Sequence, residues 1–287
     1  MQFRRIYRQI PEDGIMTRLT DDMVKDIIGS LDGTNDMLVS LTGMDTLELA
    51  CDAIGIAPEM VDLEDIKVGV VPVTSGKGII KKFSESVAEI VRKLGMEAFV
   101  TESADVTGLA EALSSGAEII FMADDIKFIA INTTNGKFSN NSFSTAAGYV
   151  SALKGAAGGL AGKDVLVLGA GRVGSIAAEI MKEMGAAVTV YDVDEKRMKD
   201  VSDDIGVKMT NDLNGALSSH GLVLNASPGA IDGTYLKEGA IVSSPGIPFP
   251  FDEMGVKKAG TIIHDPLDIG TAVMAVQAAS FSRQRKL

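Results

Sequence analysis

Four consecutive apolar residues at 165–168 run into Gly169, Gly171 and Gly174 at G-x-G-x-x-G spacing, and no other stretch constrains the fold as tightly. An unbroken apolar run suits a central parallel strand buried on both faces. The first glycine permits a tight turn, the second lets a pyrophosphate approach the backbone, and the third lets a helix pack on the strand. Val173, Ile176, Ala177, Ile180, Met181 and Met184 then recur at helical spacing, which makes one face of the next helix apolar. Gly185 closes that helix, residues 187–191 supply a second strand, and Asp192 stands at its tip. This succession predicts a Rossmann unit that holds a dinucleotide, with phosphate at the helix N-terminus around Arg172 and Val173. An acid at the strand tip accepts hydrogen bonds from the adenosine ribose and repels a 2′-phosphate, so Asp192 favours NAD over NADP, although nearby Arg197 blurs that preference.

The same pattern continues downstream. Residues 222–225 and 240–243 read as short strands that enter the turn-rich segments NASPGA and SSPGIP. Loops at strand C-termini line the crevice of an open α/β sheet, so Asn225, Ala226, Ser227 and Pro245 are expected beside the cofactor. Residues 261–264 are a last strand candidate, and 267–281 read as a closing helix.

The front half is a second, smaller α/β layer without a dinucleotide fingerprint. Leu19, Met23, Ile27 and Leu31 recur at helical spacing, with Thr20 as a cap. Strands are expected at 68–73, 97–100, 118–122 and 128–131, and helices at 78–94 and from Thr107. Two features fall at strand ends. Thr74 and Ser75, ahead of a helix, could hold a carboxylate, or form an ordinary capped turn. Asp124 and Asp125 could bind an ammonium group or a cation, or form a solvated turn. Asn140, Asn141 and Ser142 offer caps for a helix through about Leu153, rich in small residues, and GAAGGLAG (155–162) reads as a hinge between the layers.

With 287 residues, the chain has material for two cores. The expected division is a possible disordered extension at 1–16, a substrate domain at 17–145, and a Rossmann domain at 146–287 that includes the linking and C-terminal helices. The fold class is therefore α/β, a C-terminal parallel-sheet Rossmann domain plus a smaller N-terminal helical and α/β domain, with a cleft between them. A net charge of −12 argues against nucleic acid as a partner. No run is long enough for a membrane span, and the N-terminus lacks the apolar core of a secretory signal. The single Cys51 excludes an internal disulfide framework and fits a reducing cytoplasm; among apolar neighbours it reads as a core thiol. Two histidines and no Cys/His cluster give no basis for a metal site.

Several segments together resemble the pyrrolysine synthase family: VGVVPVTSGKGIIKKFSES (68–86), MADDIKFIAINTTNGKFSNN (122–141), KDVLVLGAGRVG (163–174), VSSPGIP (242–248) and HDPLDIGTA (264–272). The resemblance implies an NAD-dependent dehydrogenase that oxidises an amine carbon of 3-methylornithyl-N6-lysine before the pyrroline ring closes. It also implies a small lysine-derived dipeptide as partner and a homodimeric assembly. Leu19, Phe83, Asp124 and Asp265 match substrate-contacting positions, and Asp124 is the candidate catalytic group. Asp265 departs from the family pattern, which favours Glu; the acid here is one methylene shorter and leaves room for an intervening water. His264 reads as a structural strand-end histidine, and no convincing general base stands out. Two other readings stay open. One is a dehydrogenase of the shikimate or methylene-tetrahydrofolate type, using Lys77 or Lys81. The other is a non-enzymatic NAD-binding regulator.

Overall fold

The computed structural model describes residues 19–283; the expected extension at 1–16 lies outside the described residues. Two helices open the front half, α1 (Asp21–Val24) and α2 (Ile27–Thr42). The sequence spacing suggests one continuous helix, but the chain breaks at 25–26. Burial of Leu19, Val24, Ile27 and Leu31 is kept across the break, so apolar contact rather than helical continuity decides the path. Helix α3 (Thr46–Ala53) begins with a capping box, in which Asp45 accepts from the Glu48 N–H while its own N–H donates to the Glu48 carboxylate.

Alternation of strand and helix then gives β1 (Lys67–Val71), α4 (Phe83–Lys93), β2 (Glu97–Val100), α5 (Asp105–Ser114), β3 (Ile119–Ala123), β4 (Phe128–Asn132) and β5 (Phe138–Asn140). The sheet order is β2-β1-β3-β4-β5, with the first three parallel and the last two antiparallel. Helix α4 starts five residues later than the sequence suggested. Gly76, Gly78 and Lys82 all take positive φ (67°, 82° and 63°), a conformation that cannot propagate a right-handed helix.

Helix α6 (Asn141–Ala156), capped by Asn140 accepting from the Phe143 N–H at 3.0 Å, leads into the second sheet. Its elements are β6 (Asp164–Leu168), α7 (Arg172–Glu183), β7 (Ala187–Tyr191), α8 (Glu195–Val201), β8 (Lys208–Met209), α9 (Leu213–Ser219), β9 (Leu222–Asn225), β10 (Ile241–Ser243), α10 (Glu253–Lys258), β11 (Thr261–Ile263) and α11 (Asp268–Ser280). All six strands are parallel, in the order β11-β10-β9-β6-β7-β8. Chain order reverses between β6 and β9, the switch point where such sheets open a ligand crevice.

Helices α6 and α11 join the two layers. One side of α6 packs on α7 and on β9–β11, and the other on α2, α3 and α11. A Cβ at Gly148 would fall 2.5 Å from the Ile269 side chain, so the small residue sets how closely α6 and α11 approach. Although α11 follows the second sheet in sequence, it packs largely on α6 and on α3, α4, β4 and β5 of the front half. Its far end is fastened there: Asn132 donates to the Ala278 carbonyl (2.9 Å), and Arg283 pairs with Glu118.

The glycine-rich segment 155–162 does not cross between the layers. It joins α6 to β6, both of which pack on α7, and it is tied down by Gly162 N–H to Gly185 O (2.9 Å) and by the Lys163 ammonium on the Ala157 carbonyl. The crossings lie instead at 140–141 and 264–268, both at the base of the cleft. Cys51 is fully buried, and burial, then Asp45, pushes its thiol up to about 12, which leaves no thiolate for chemistry. No helix among the described residues is long and apolar enough to cross a membrane.

Candidate active site

A cleft of about 1100 Å³ opens between the layers at the C-terminal ends of both sheets. Its back wall is the glycine turn. Gly169 has φ 95° and donates its N–H to the Tyr191 carbonyl at 2.8 Å. A Cβ at Gly174 would lie 1.8 Å from the Gly169 carbonyl oxygen, whereas one at Gly171 would meet nothing within 4 Å. The third glycine is thus demanded by packing, and the second leaves an open approach to the N-terminus of α7. Asp192 closes the arrangement: its Oδ2 accepts from the Ala170 N–H at 2.6 Å and its Oδ1 from the Asp194 N–H at 2.9 Å. These residues fit the pyrophosphate and adenosine ribose of a dinucleotide.

Of the expected cofactor residues, Gly169, Gly171, Arg172, Val173, Asp192, Ala226, Ser227 and Pro245 line the cleft, as does Arg197. Gly174 and Asn225 do not. Asn225 is fully buried beneath the loop after β9, where its amide donates to the Ser227 carbonyl (3.1 Å) and the Ser244 hydroxyl (3.0 Å). It shapes the loop instead of meeting a ligand. That packing also explains Gly246, where a Cβ would fall 2.4 Å from the Asn225 amide nitrogen.

The front wall brings Leu19, Phe83 and Asp124 to the same cleft. Phe83 meets Phe128 edge-on (centroids 5.3 Å), and Phe128 leans on Phe121 (5.8 Å), forming an aromatic wall. Asp124 is exposed, and its Oδ1 accepts from the N–H groups of Ile126 (2.8 Å) and Lys127 (2.7 Å). Asp125, its neighbour, braces the opposite loop through the Lys77 N–H at 2.8 Å. The pair therefore divides, one carboxylate shaping a turn at the cleft and the other pinning a loop.

Thr74 and Ser75 are not among the lining residues. The Thr74 hydroxyl and N–H both go to Asp105 (2.5 and 2.8 Å), and these bonds hold the Asp105 carboxyl below its usual range. With α4 starting only at Phe83, no helix N-terminus stands behind Thr74 to receive a carboxylate. Lys77 and Lys81 are exposed and off the lining as well.

Asp265 lines the floor and is 8% exposed. Its carboxylate accepts from the N–H groups of Leu267 (2.8 Å), Asp268 and Ile269 (3.2 Å), and so caps the first turn of α11. The buried Tyr149 hydroxyl accepts from the Asp265 N–H (2.9 Å) and donates to the Asp265 carbonyl (2.5 Å). Burial, then the Asp265 charge, raises the Tyr149 phenol well above its ordinary value. The Asp265 carboxylate is thus committed mainly to structure. His264 is structural too: its Nδ1 lies 2.7 Å from the Ser244 carbonyl and its ring packs on Phe249 (centroids 5.0 Å).

Sequence reasoning missed Tyr149 and the face of α6 that carries Asn141, Ser142 and Thr145 to the cleft. Only the Asn-Ser cap hinted that this helix starts at the cleft. Tyr149 gains its meaning from a partner 116 residues away, which no local pattern encodes.

Residues 23–139 match the family model described as "Pyrrolysine biosynthesis protein PylD, N-terminal domain", and residues 137–227 match "Alanine dehydrogenase/PNT, C-terminal domain". The chain is 36% identical over 266 residues to the pyrrolysine synthase of Methanosarcina barkeri, covering 90% of this chain and 97% of that protein. It is 35% identical over 269 residues to the pyrrolysine synthase of Methanosarcina acetivorans, covering 90% and 98%. Among solved structures, a shikimate dehydrogenase from Aquifex aeolicus aligns with a TM-score of 0.54 at 14% identity, covering 79% of this chain and 96% of that one. A quinate dehydrogenase from Corynebacterium glutamicum, solved with NAD, aligns at 0.53 and 16%, covering 77% and 96%. At those identities the structures speak for the two-domain dehydrogenase fold, and the sequence relatives speak for the family. The chain belongs to the pyrrolysine synthase family.

Proposed function

We propose that this enzyme oxidises the terminal amine carbon of (3R)-3-methyl-D-ornithyl-N6-L-lysine with NAD as acceptor, after which ring closure with loss of ammonia gives L-pyrrolysine. The observation that carries the reading is one continuous cleft with Asp192 and the glycine turn on one wall and Leu19, Phe83 and Asp124 on the other. The bound nicotinamide supplies the two-electron acceptor that no side chain provides. The glycine turn and α7 hold its pyrophosphate, and Asp192 reads the adenosine ribose, where a carboxylate opposes a 2′-phosphate.

Leu19, Phe83 and Phe128 form the apolar surface that takes the aliphatic stem of the substrate and keeps water from it. Asp124 attracts the substrate ammonium. Its Oδ1 is engaged by two backbone N–H groups, so the turn fixes the carboxylate while Oδ2 remains for the substrate. After oxidation the second amine of the same moiety attacks the new imine carbon, and ammonia leaves. That step needs orientation more than a dedicated catalyst, because the reacting groups are already tethered.

The exposed positions of Lys77 and Lys81 give no support to a lysine-based dehydrogenase of the shikimate type. Asp124→Asn tests the assignment of the front wall. A rise in KM for the dipeptide of about tenfold or more, with dinucleotide affinity unchanged, is expected for a lost charged contact. Full turnover at unchanged KM removes Asp124 from the site.

A further inference from the structure

The dipeptide proposed above carries three amines and one carboxylate, so most of its polar ends donate hydrogen bonds. The acids of the cleft floor and front wall leave little to receive them. Asp124 keeps Oδ2 for the substrate, whereas Asp125 is spent on the Lys77 N–H and Asp265 on the first turn of α11. The base of the cleft supplies another acceptor.

Thr145 lines the cleft from α6, one turn after Asn141 and one turn before Tyr149. A helical threonine commonly returns its hydroxyl to the carbonyl four residues earlier, as Thr34 does to Ser30 (3.2 Å) and Thr42 to Leu38 (2.7 Å). Thr145 donates instead to the side-chain Oδ1 of Asn141, at 3.0 Å. A hydroxyl has one proton and two lone pairs. With the proton given to Asn141, the Thr145 oxygen has only acceptor capacity left, and no donor reaches it among the described residues.

Gly270 faces the same pair from α11. A Cβ there would lie 2.7 Å from Thr145 Oγ1 and 3.2 Å from Asn141 Oδ1. Glycine inside a helix is otherwise unfavourable. Here the bare position leaves both oxygens uncovered, and Gly270 lines the cleft together with Asn141 and Thr145.

We propose that Thr145 accepts a hydrogen bond from an amine of the dipeptide, with Asn141 as the positioning residue that turns its hydroxyl. The inference rests on the substrate proposed above. An oxygen that can only accept repels a carboxylate and takes an N–H donor. It is also uncharged, so it holds an amine without the negative charge that favours the ammonium form at Asp124. Both steps of the proposed reaction, hydride loss from the amine carbon and attack by the second amine, use a nitrogen with a free lone pair. One charged and one neutral acceptor thus give the amines of the dipeptide unlike places in the cleft. The carboxamide of a bound nicotinamide is the other source of N–H groups, and binding measurements separate the two.

The dipeptide is titrated calorimetrically into protein saturated with NADH, which blocks turnover. Thr145→Val removes the oxygen at nearly constant shape and should raise the dipeptide Kd about tenfold, the worth of one hydrogen bond. Thr145→Ala should do the same, which covers any disturbance that valine causes between α6 and α11. Thr145→Ser restores the oxygen and should recover most of the affinity. Asn141→Ala frees the hydroxyl to turn back onto the helix and should weaken binding by a smaller factor. NADH affinity should not change, and Tm should stay within about 2 °C in the Thr145 variants. Three analogues, each lacking one amine, locate the contact. One of them should bind wild type and Thr145→Val alike, because its half of the hydrogen bond is already gone.

Equal dipeptide affinity in wild type, Thr145→Val and Thr145→Ala overturns the inference, as does a loss that persists with all three analogues. Weakened NADH binding at unchanged dipeptide affinity gives the oxygen to the nicotinamide carboxamide, and overturns it too. Each of these results, with a wild type that oxidises the dipeptide, leaves the proposed function standing. A wild type that does not oxidise the dipeptide overturns that function, and the inference with it.

Discussion

Alanine at Gly174 and alanine at Gly171 should fail in different ways, although both glycines belong to the same fingerprint. At Gly174 the added methyl would sit 1.8 Å from the Gly169 carbonyl oxygen, where real contacts essentially never fall below 3.0 Å. The turn or the helix must therefore move by about 1.2 Å. That carbonyl is backbone, inside a turn held by Gly169 N–H to Tyr191 O and Ala170 N–H to Asp192 Oδ2, so the displacement cannot be absorbed by rotating a side chain. Overpacking of this kind costs about 1–3 kcal/mol, and a clash with backbone belongs near the top of that range. At roughly 2–4 °C per kcal/mol for a chain of this size, Gly174→Ala should lower Tm by about 5–10 °C. It should also weaken dinucleotide binding, because the cradle itself is displaced.

Gly171→Ala meets nothing within 4 Å, so its Tm should stay within about 2 °C of wild type. Its methyl would occupy the space a pyrophosphate needs, and NAD affinity should fall by roughly 10–100-fold, equivalent to about 1.4–2.8 kcal/mol. Differential scanning fluorimetry and calorimetric titration with NAD separate the two effects. Gly171→Ala with wild-type affinity, or Gly174→Ala with wild-type Tm, refutes the assignment of these glycines.

Other outcomes follow from the same geometry. Asp192→Ala removes both the ribose acceptor and the tie to Ala170; NAD affinity should drop by about 10–100-fold while NADP loses less, as competitive titration would show, and equal losses for both contradict its role. Tyr149→Phe leaves the Asp265 N–H and carbonyl without their buried partner and should cost about 1–3 kcal/mol in denaturant unfolding; a loss below about 0.5 kcal/mol refutes its importance. Phe83→Ala strips the aromatic wall and should raise the KM for the dipeptide at unchanged NAD affinity, which steady-state kinetics would reveal.

The nucleotide half was legible because its signals are local. An apolar run, three glycines and an acid at fixed spacings each have one mechanical reason, and β7 and β9 fall where those spacings put them. The front half was legible as alternation but not in its boundaries. Three positive-φ residues between β1 and α4 delay the helix, and the two-residue break between α1 and α2 leaves the apolar spacing intact. The short β5 has too few residues to show a period. Among site residues, Phe83 came from family resemblance and Asp124 from its strand-end position as well as the resemblance; both share a cleft with the glycine turn, whereas Thr74 is bonded to Asp105. Asn225 had the right place in the chain but the wrong depth. Tyr149 was invisible in advance, because its buried hydroxyl acquires a role only when α6 and the loop before α11 are packed together.

One reaction tests the proposed activity most directly. NAD and chemically prepared (3R)-3-methyl-D-ornithyl-N6-L-lysine are mixed with the enzyme while NADH absorbance and product mass are followed together. The predicted result is one NADH per product, with the product lighter than the substrate by ammonia and two hydrogens. Tight NAD binding without NADH from that dipeptide would contradict the proposed substrate.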